Sequence, residues 1–258
     1  MKKIILTTTL VFTLVFLFQG FSQAGQFFGA FEPTTEKGQF SLGVGYFFSN
    51  SDFEPSNDAF NNTKTQQKQI FIQGGYGFIE GGEVYLRGGV ADTERENAFL
   101  DSSDFNDDFK PFGTLGIRLS YPFNSIFSFG AFIQGSLYSY YSDEIILLDS
   151  LIKQKYETEN LPWEVNLGVG LQAKLNSTFL NALLYGGPML YNERLDMKRR
   201  VTSIIHSTTG EESIRYKEQS NVGGFLGLRL SLGKQFHIEV EGQMKNRISA
   251  GGSVTYSF

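Results

Sequence analysis

Acid–base chemistry in this chain would depend on its two histidines and the carboxylates near them. His237 lies two positions before Glu239, and His206 lies in a polar stretch with Ile204 two positions before it. Positions i and i+2 share one face of a strand, so His237 and Glu239 are ordinary neighbours in extended structure. A catalytic triad needs a nucleophile and an orienting acid within reach of the imidazole, and the sequence marks neither. We therefore expect a protein that is not an enzyme.

Sequence motifs for metal or cofactor chemistry are also missing. The chain contains no Gly-x-Ser-x-Gly elbow, no His-Glu-x-x-His pair and no phosphate-binding loop. An acidic stretch from Asp92 to Lys110 carries oxygen ligands of the kind that calcium accepts, but 101–108 lacks the spacing and the glycine of an EF-hand loop. Because the chain has no Cys, thiolate zinc sites and disulfides are excluded. We expect no metal ion and no cofactor.

The composition separates this chain from nucleic-acid-binding proteins and from helical membrane proteins. Its 258 residues carry a formal charge of −5, whereas nucleic-acid-binding proteins present basic surfaces. The mean hydropathy of −0.17 is too low for a bundle of membrane-spanning helices. Glycine (29 residues) and aromatic residues (15%) are enriched, and charged residues (19%) are scarce. This composition is typical of Gly- and aromatic-rich β structure.

The first 24 residues have the three parts of a secretory signal peptide. Two lysines give the basic start, an apolar run follows from Ile4 to Phe18, and a small-x-Ala cleavage site ends at Ala24. A membrane anchor helix is the alternative, but the run is shorter than the roughly 20 residues that a spanning helix needs. We predict a signal peptide over 1–24 and a single domain over 25–258.

Alternation of apolar residues with polar or small residues runs through the rest of the chain. Successive side chains of a strand point to opposite faces, so each alternating segment has one apolar face and one polar or small face. Ten candidate strands result, at 39–48, 68–78, 82–91, 111–121, 126–141, 161–175, 179–191, 220–232, 235–243 and 248–258. Eight strands are the alternative, if segments near the N-terminus or the short link at 244–247 are assigned differently.

Connections between these strands alternate in length. Short turns lie at 78–82, 122–125, 176–178 and 233–234, and long polar links lie at 49–67, 92–110, 142–160 and 192–219. This alternation places the long links at one end of the sheet, as in transmembrane barrels. We expect the fourth link to form a hairpin around Thr208-Thr209-Gly210, whose basic run Lys198-Arg199-Arg200 suits phosphate groups.

A soluble sandwich or lipocalin-like barrel would show the same alternation, but three features favour a membrane barrel. The polar face is rich in Gly and Ser rather than in Lys and Glu, and an even number of strands can close so that every backbone group is paired in lipid. Aromatic residues recur at segment ends, as in the interfacial girdles of membrane barrels: Phe47, Phe48, Tyr121, Phe123, Tyr138, Tyr140, Tyr141, Trp163, Tyr185, Tyr191, Tyr256 and Phe258. We predict an all-β fold, a transmembrane antiparallel up-and-down β-barrel of ten strands.

The signal peptide, the alternating strands and the final six residues, Ser253 to Phe258, resemble the small outer membrane β-barrel proteins of Gram-negative bacteria. The resemblance implies export through the periplasm, a bacterial outer-membrane location and contact with outer membrane lipid and lipopolysaccharide. In that family the barrel-assembly machinery reads a C-terminal strand that ends in Phe, and Val254, Tyr256 and Phe258 match this signal. Proteases of this class pair Asp with His near the extracellular rim, a pattern that His206 does not match.

If the apolar face meets lipid, nine ionisable residues point into the barrel. Charges in a narrow lumen are costly unless they are paired, so a balanced set of four basic and four acidic residues with one His favours an ion-pair network. Open water channels belong to barrels of about 16–18 strands, and we therefore predict a plugged or very narrow lumen. The nine residues are Glu83, Arg87, Arg118, Glu164, Lys174, Arg229, His237, Glu239 and Glu241.

The favoured function is that of a non-enzymatic outer-membrane barrel whose extracellular loops mediate surface interaction or envelope integrity, because function on a rigid scaffold belongs to its loops. A narrow channel for small solutes or ions, with the inward charges as its filter, is the second hypothesis. A rim-active hydrolase that uses His206 is the third. The sequence does not specify a surface partner.

Overall fold

The structure is a computed structural model that describes residues 26–55, 63–96, 104–149, 152–176, 181–203, 208–218, 221–245 and 247–258. The predicted signal peptide and His206 lie outside these ranges. Within them, no helix is long and apolar enough to cross a membrane.

The described residues form twelve strands, which occupy ten positions around a barrel. Strands β5 and β6 lie one after the other along the same edge of β7, and β9 and β10 do so along β8. The strands are β1 (Phe40–Pro55), β2 (Thr63–Ile79), β3 (Gly82–Glu96), β4 (Phe105–Pro122), β5 (Phe127–Tyr138), β6 (Tyr141–Asp149), β7 (Ile152–Asn176), β8 (Asn181–Ser203), β9 (Thr208–Glu218), β10 (Val222–Leu232), β11 (Phe236–Met244) and β12 (Ile248–Ser257).

The sheet closes on itself through its first and last strands. Strand β12 pairs antiparallel with β1 from Ser41↔Ser257 to Phe48↔Ala250, and the Phe258 N–H donates to the Phe40 carbonyl over 2.9 Å. Closure removes the sheet edges, whose unpaired backbone groups could not exist in lipid. The prediction of a ten-stranded antiparallel barrel is confirmed, and the eight-stranded alternative is wrong.

The two faces of the barrel wall differ as the period of two requires. The outward side chains are apolar and are not covered by other parts of the described chain: Leu86 is 62% exposed and Leu115 is 59% exposed. Their chain neighbours Arg87 and Thr114 point inward and are buried. An apolar row of this kind on the barrel strands forms a continuous lipid-facing belt, as in transmembrane barrels.

The two ends of the barrel are unlike each other. One end, here called the short-turn end, carries the turns from β2 to β3, β4 to β5, β7 to β8 and β10 to β11 together with the start of β1 and the end of β12. Gly81 (φ 75°) and Gly233 (φ 73°) take positive backbone angles in two of these turns, a conformation that glycine adopts without steric cost. The opposite end, here called the loop end, carries the long connections.

The long connections contain more strand than the sequence predicts. Strands β7 and β8 stay paired out to Gln154↔Ser203, and β9 pairs with β8 and then meets β1 at Phe53↔Glu218. The predicted hairpin is therefore present, but Thr208, Thr209 and Gly210 belong to β9 and pair with β8 rather than forming its turn. The β-branched Thr208 and Thr209 favour strand over turn, and both pair with β8.

Only part of the predicted aromatic girdle faces lipid. Tyr121, Phe123, Tyr140, Tyr256 and Phe258 are exposed, whereas Phe47, Tyr138, Tyr141, Tyr185 and Tyr191 are buried in the lumen. The buried rings occupy inward positions, and glycines on the neighbouring strands make room for some of them. A Cβ added at Gly227 would lie 2.1 Å from Cζ of Tyr185, and one at Gly251 would lie 2.3 Å from Cδ2 of Phe47.

Candidate functional site

The lumen is occupied by the chain's own N-terminal residues. The stretch 26–38, here called the N-terminal segment, precedes β1, and its residues Phe27, Phe28 and Phe31 are at most 1% exposed. Near the loop end, the Gln26 amide donates to the Tyr138 hydroxyl over 2.9 Å. Near the short-turn end, the Thr34 N–H donates to Glu83 over 2.7 Å. The segment therefore runs down the inside of the barrel before the chain turns into β1.

Carboxylates and an amide of the barrel wall accept the N–H groups of the segment. Both Phe28 N–H and Gly29 N–H donate to the Glu241 carboxylate, over 3.0 and 2.9 Å. The Ala30 N–H donates to Glu239 over 3.4 Å, and the Glu32 N–H donates to Gln172 over 2.9 Å. The backbone groups of the barrel strands are already paired with one another. The buried N–H groups of the segment therefore find their hydrogen-bond partners in these wall side chains.

Arginines of the wall donate to the carbonyl groups of the same segment. Arg87 donates to the carbonyls of Phe27 and Phe28. Arg118 donates to the Ala30 carbonyl over 3.1 Å, and Arg229 donates to the Glu32 carbonyl over 2.7 Å. A guanidinium presents several N–H donors in one plane, so one arginine can serve both a peptide carbonyl and a carboxylate.

Among the described residues, four ion pairs neutralise charge in or beside the lumen. Arg118 pairs with Glu83 at 2.8 Å, and Arg229 pairs with Glu239; all four side chains are at most 3% exposed. Buried charges require such partners, since desolvation of an isolated charge is very costly. The other two pairs are Lys245–Glu164 at 3.3 Å and Lys174–Glu32 at 2.7 Å, in which Glu32 belongs to the N-terminal segment.

The phenyl rings of the segment lie in aromatic pockets of the wall. Phe28 stacks on Phe132 with ring centroids 4.2 Å apart and meets Phe225 edge-on at 5.5 Å. Phe31 contacts the same two rings at 6.0 and 5.6 Å. Offset and edge-on contacts at these distances stabilise aromatic pairs beyond their buried area. On the other side, Phe27 faces Phe71 at 6.1 Å.

Two glycines make the fit of the segment possible. Gly29 has φ +80°, and a Cβ there would lie 2.7 Å from Oε2 of Glu239 and 2.9 Å from an Arg118 nitrogen. Gly130 on β5 lies directly under Phe31, because a Cβ at Gly130 would be 2.1 Å from Cγ of that ring. The close approach of segment and wall depends on both positions having no side chain.

A second polar group fills the lumen nearer the loop end. Lys245, in the turn between β11 and β12, is buried; its Nζ lies 3.3 Å from Glu164 of β7 and 4.2 Å from the centroid of the Tyr191 ring. The Asn166 amide donates to the same Glu164 carboxylate over 2.6 Å. The turn is also fixed on its other side, where Arg247 pairs with Asp52 of β1 at 2.8 Å.

The nine ionisable residues named from the sequence do not all have the same surroundings. Eight are buried in the barrel, whereas the Lys174 side chain is 40% exposed beside Glu32. His237 contacts the Ser231 hydroxyl through Nδ1 at 2.9 Å, while Glu239, two residues on, is engaged with Arg229. The residues of the implied assembly signal, Val254, Tyr256 and Phe258, point outward at the short-turn end.

Sequence reasoning missed the N-terminal segment and Lys245. The residues Phe27, Phe28 and Phe31 form an apolar group with no period of two, and that break in the pattern is the signal that could have set the segment apart from the strands. Lys245 lies in a turn, where the alternation of inward and outward residues ends, so the sequence does not show which way its side chain points. Among the described residues, no group of three or more His, Asp or Glu side chains is arranged to hold a metal ion.

Strand pairing and the outward apolar belt define a closed, ten-stranded transmembrane β-barrel whose interior is filled. No family model and no curated protein matches the sequence. Several solved structures are similar over 86% of this chain: the translocator domain of the autotransporter NalP from Neisseria meningitidis (9% identity, 88% of that chain, TM-score 0.45), the attachment invasion locus protein Ail of Yersinia pestis (12%, 99%, 0.27) and the toluene transporter TbuX of Ralstonia pickettii (8%, 89%, 0.32). These likenesses concern the fold alone.

Proposed function

We propose that this protein is a non-enzymatic outer-membrane barrel that is closed at rest by its N-terminal segment and acts through its loop end, in surface interaction or envelope integrity. The observation that carries the proposal is the occupation of the lumen by Phe27, Phe28 and Phe31, each at most 1% exposed. A barrel of ten strands is far narrower than the porins of about 16–18 strands that hold a water channel. With a polypeptide inside it, little of that width remains for solutes.

An outer-membrane location is supported by the lipid-facing belt and by what the sequence resembles. A leader over 1–24 would direct export, and the exposed alternate residues Val254, Tyr256 and Phe258 would present the assembly signal. Partners proposed on this basis are outer membrane lipid, the phosphates of lipopolysaccharide for Lys198-Arg199-Arg200, and the barrel-assembly machinery.

A non-enzymatic role is supported by how the buried carboxylates are used. Glu83 and Glu239 bind arginines, Glu164 binds Lys245, and Glu241 accepts peptide N–H groups of the segment. Carboxylates held in this way are structural ligands rather than free acids or bases. The hairpins of β6 with β7 and β8 with β9 reach beyond the belt, so they are the parts that a partner outside the cell would meet.

Conductance in planar bilayers tests closure. Wild-type protein is expected to stay closed, and the full-length double variant Phe28→Ala/Phe31→Ala is expected to open in bursts because its segment has lost two buried rings. The matched control is Phe127→Ala/Phe129→Ala, which removes two exposed rings from the outer face of β5 and should stay closed. A steady open current through the wild type would overturn the closed barrel.

Antibody labelling of intact cells tests the orientation of the loop end. A peptide tag inserted between β8 and β9 is expected to bind antibody on whole cells, whereas the same tag in the turn at Gly233 is expected to bind only after the outer membrane is permeabilised. The reverse pattern would refute a role for the loop end at the cell surface.

A further inference from the structure

Most hydrogen bonds between the lumen wall and the N-terminal segment join wall side chains to backbone groups of the segment. From Gln26 to Thr34, the wall accepts N–H groups through Glu241, Glu239, Gln172 and Glu83 and donates to carbonyls through Gln243, Arg87, Arg118, Arg229 and Ser257. Peptide groups are common to every polypeptide, so these contacts are independent of the side chains that the segment carries.

We propose that the lumen is a binding site for an extended polypeptide, and that the N-terminal segment is its resident ligand. The ligand class is a peptide with aromatic residues at its first, second and fifth positions and glycine at its third, as in Phe27 to Phe31. A peptide of this chemistry, supplied from outside, takes the same place when the resident is weakened. The inference rests on the proposed closed barrel and adds what the interior recognises.

Two charged residues make the site selective for peptide groups. Arg87 donates to two successive carbonyls of the segment, and Glu241 accepts from two successive N–H groups. Each loses those partners when no polypeptide is present, which leaves buried polar groups under-satisfied. A hydrocarbon or an acyl chain would fill the apolar pockets but would offer these two side chains neither a donor nor an acceptor.

The side-chain pockets add a pattern to the recognition of the backbone. The pocket between Phe132 and Phe225 takes the rings of the second and fifth positions, and the Phe27 ring lies under the Arg87 guanidinium at 5.5 Å. The third position has no room for a side chain, since a Cβ on Gly29 would meet Glu239 at 2.7 Å. A competing peptide that carries a side chain at its third position is therefore excluded from the site.

The test uses the full-length Phe28→Ala/Phe31→Ala variant and two synthetic peptides. The first peptide has the sequence of residues 26–37, and the second is the same peptide N-methylated at the positions of Phe28 and Gly29. N-methylation keeps every side chain and removes the two donors that bind Glu241. The first peptide should block the current of the variant, and the second should bind at least about tenfold more weakly, because two hydrogen bonds to a charged group are lost.

Fluorescence anisotropy of labelled peptides gives a second readout if the variant opens rarely. The full-length Gly29→Ala variant, whose own segment would meet Glu239 through the added Cβ, serves as a second host because its wall is unchanged, and the folding of each host is checked by its migration in unheated gels. Equal binding of both peptides would overturn backbone recognition, and no binding to either host would overturn the site. These failures differ from that of the closed barrel, which would appear as steady current through the wild type without any peptide.

Discussion

Arg87 and Glu241 are connected through the N-terminal segment rather than to each other. No direct hydrogen bond or ion pair joins the two side chains in the described structure; Arg87 donates to the carbonyls of Phe27 and Phe28, and Glu241 accepts from the N–H groups of Phe28 and Gly29. Three consecutive residues thus lie between a buried cation and a buried anion. The segment is therefore part of the charge balance of the barrel interior, and its loss would affect the wall as well as the lumen.

Replacing Gly29 tests the fit of the segment against a matched glycine at the exposed end of the same segment. Gly29→Ala and Gly38→Ala both place alanine at a positive φ, +80° and +84°, but a Cβ at Gly38 meets nothing within 4 Å. The two variants share the backbone cost of roughly 1 kcal/mol for a non-glycine residue in this conformation, and Gly29→Ala adds the clash with Glu239. We expect greater protease sensitivity of the segment in Gly29→Ala. Equal sensitivity of the two variants would show that the segment does not lie against Glu239.

Replacing Lys245 tests the ion pair nearer the loop end. Lys245→Gln leaves Glu164 buried without its cation, and breaking a buried pair costs roughly 3 kcal/mol or more. Arg247→Gln in the same turn removes a partly exposed pair with Asp52, whose side chains are 27% and 22% exposed, and should cost roughly 1 kcal/mol or less. The free energy of unfolding in urea, followed by Trp163 fluorescence, measures both. A smaller loss for Lys245→Gln than for Arg247→Gln would contradict the buried pair.

Replacing the last residue separates assembly from stability. Phe258 is 64% exposed and contacts Tyr256 edge-on at 5.2 Å, so Phe258→Ala removes little packing from the folded barrel. If Phe258 belongs to an assembly signal, the amount of folded protein in the outer membrane falls while the melting temperature of the purified barrel changes little. Leu232→Ala, at an exposed position of the same end, is the control. Equal yields of the two variants would remove the assembly role.

The strands could be predicted from the sequence because a period of two is a local property. Alternation in segments such as 161–175 marks both the strand and its two faces, and the alternation of short and long links marks the two ends of the barrel. The part of β7 before Leu161 was not predicted as strand because its polar sequence resembles a loop, whereas backbone pairing needs no apolar face. The hairpin of β8 with β9 was predicted, but Thr208, Thr209 and Gly210 pair with β8 instead of forming its turn.

The partners of the site could not be predicted because they are distant in sequence and irregular in structure. Phe28 is 213 residues away from Glu241, whose carboxylate accepts its N–H, and no local pattern encodes such a contact. The direction of Tyr138 and Tyr191 was also ambiguous, since an aromatic residue at a strand end fits an interfacial girdle as well as a lumen. Whether such a ring points to lipid or into the lumen depends on its place in the alternation along the strand and on glycines in the neighbouring strands. The position of those glycines relative to the ring depends on the register of strand pairing.

Hydrogen exchange of the unmodified protein tests the occupied lumen most directly. The N–H groups of Phe28, Gly29 and Ala30 are hydrogen-bonded to buried carboxylates, and such amides exchange only when the structure opens. Exchange measured by mass spectrometry in lipid vesicles is expected to show residues 27–34 protected to the same degree as the β1 strand. Exchange of 27–34 at the rate of an unstructured peptide, with β1 still protected, would contradict a lumen closed by this segment.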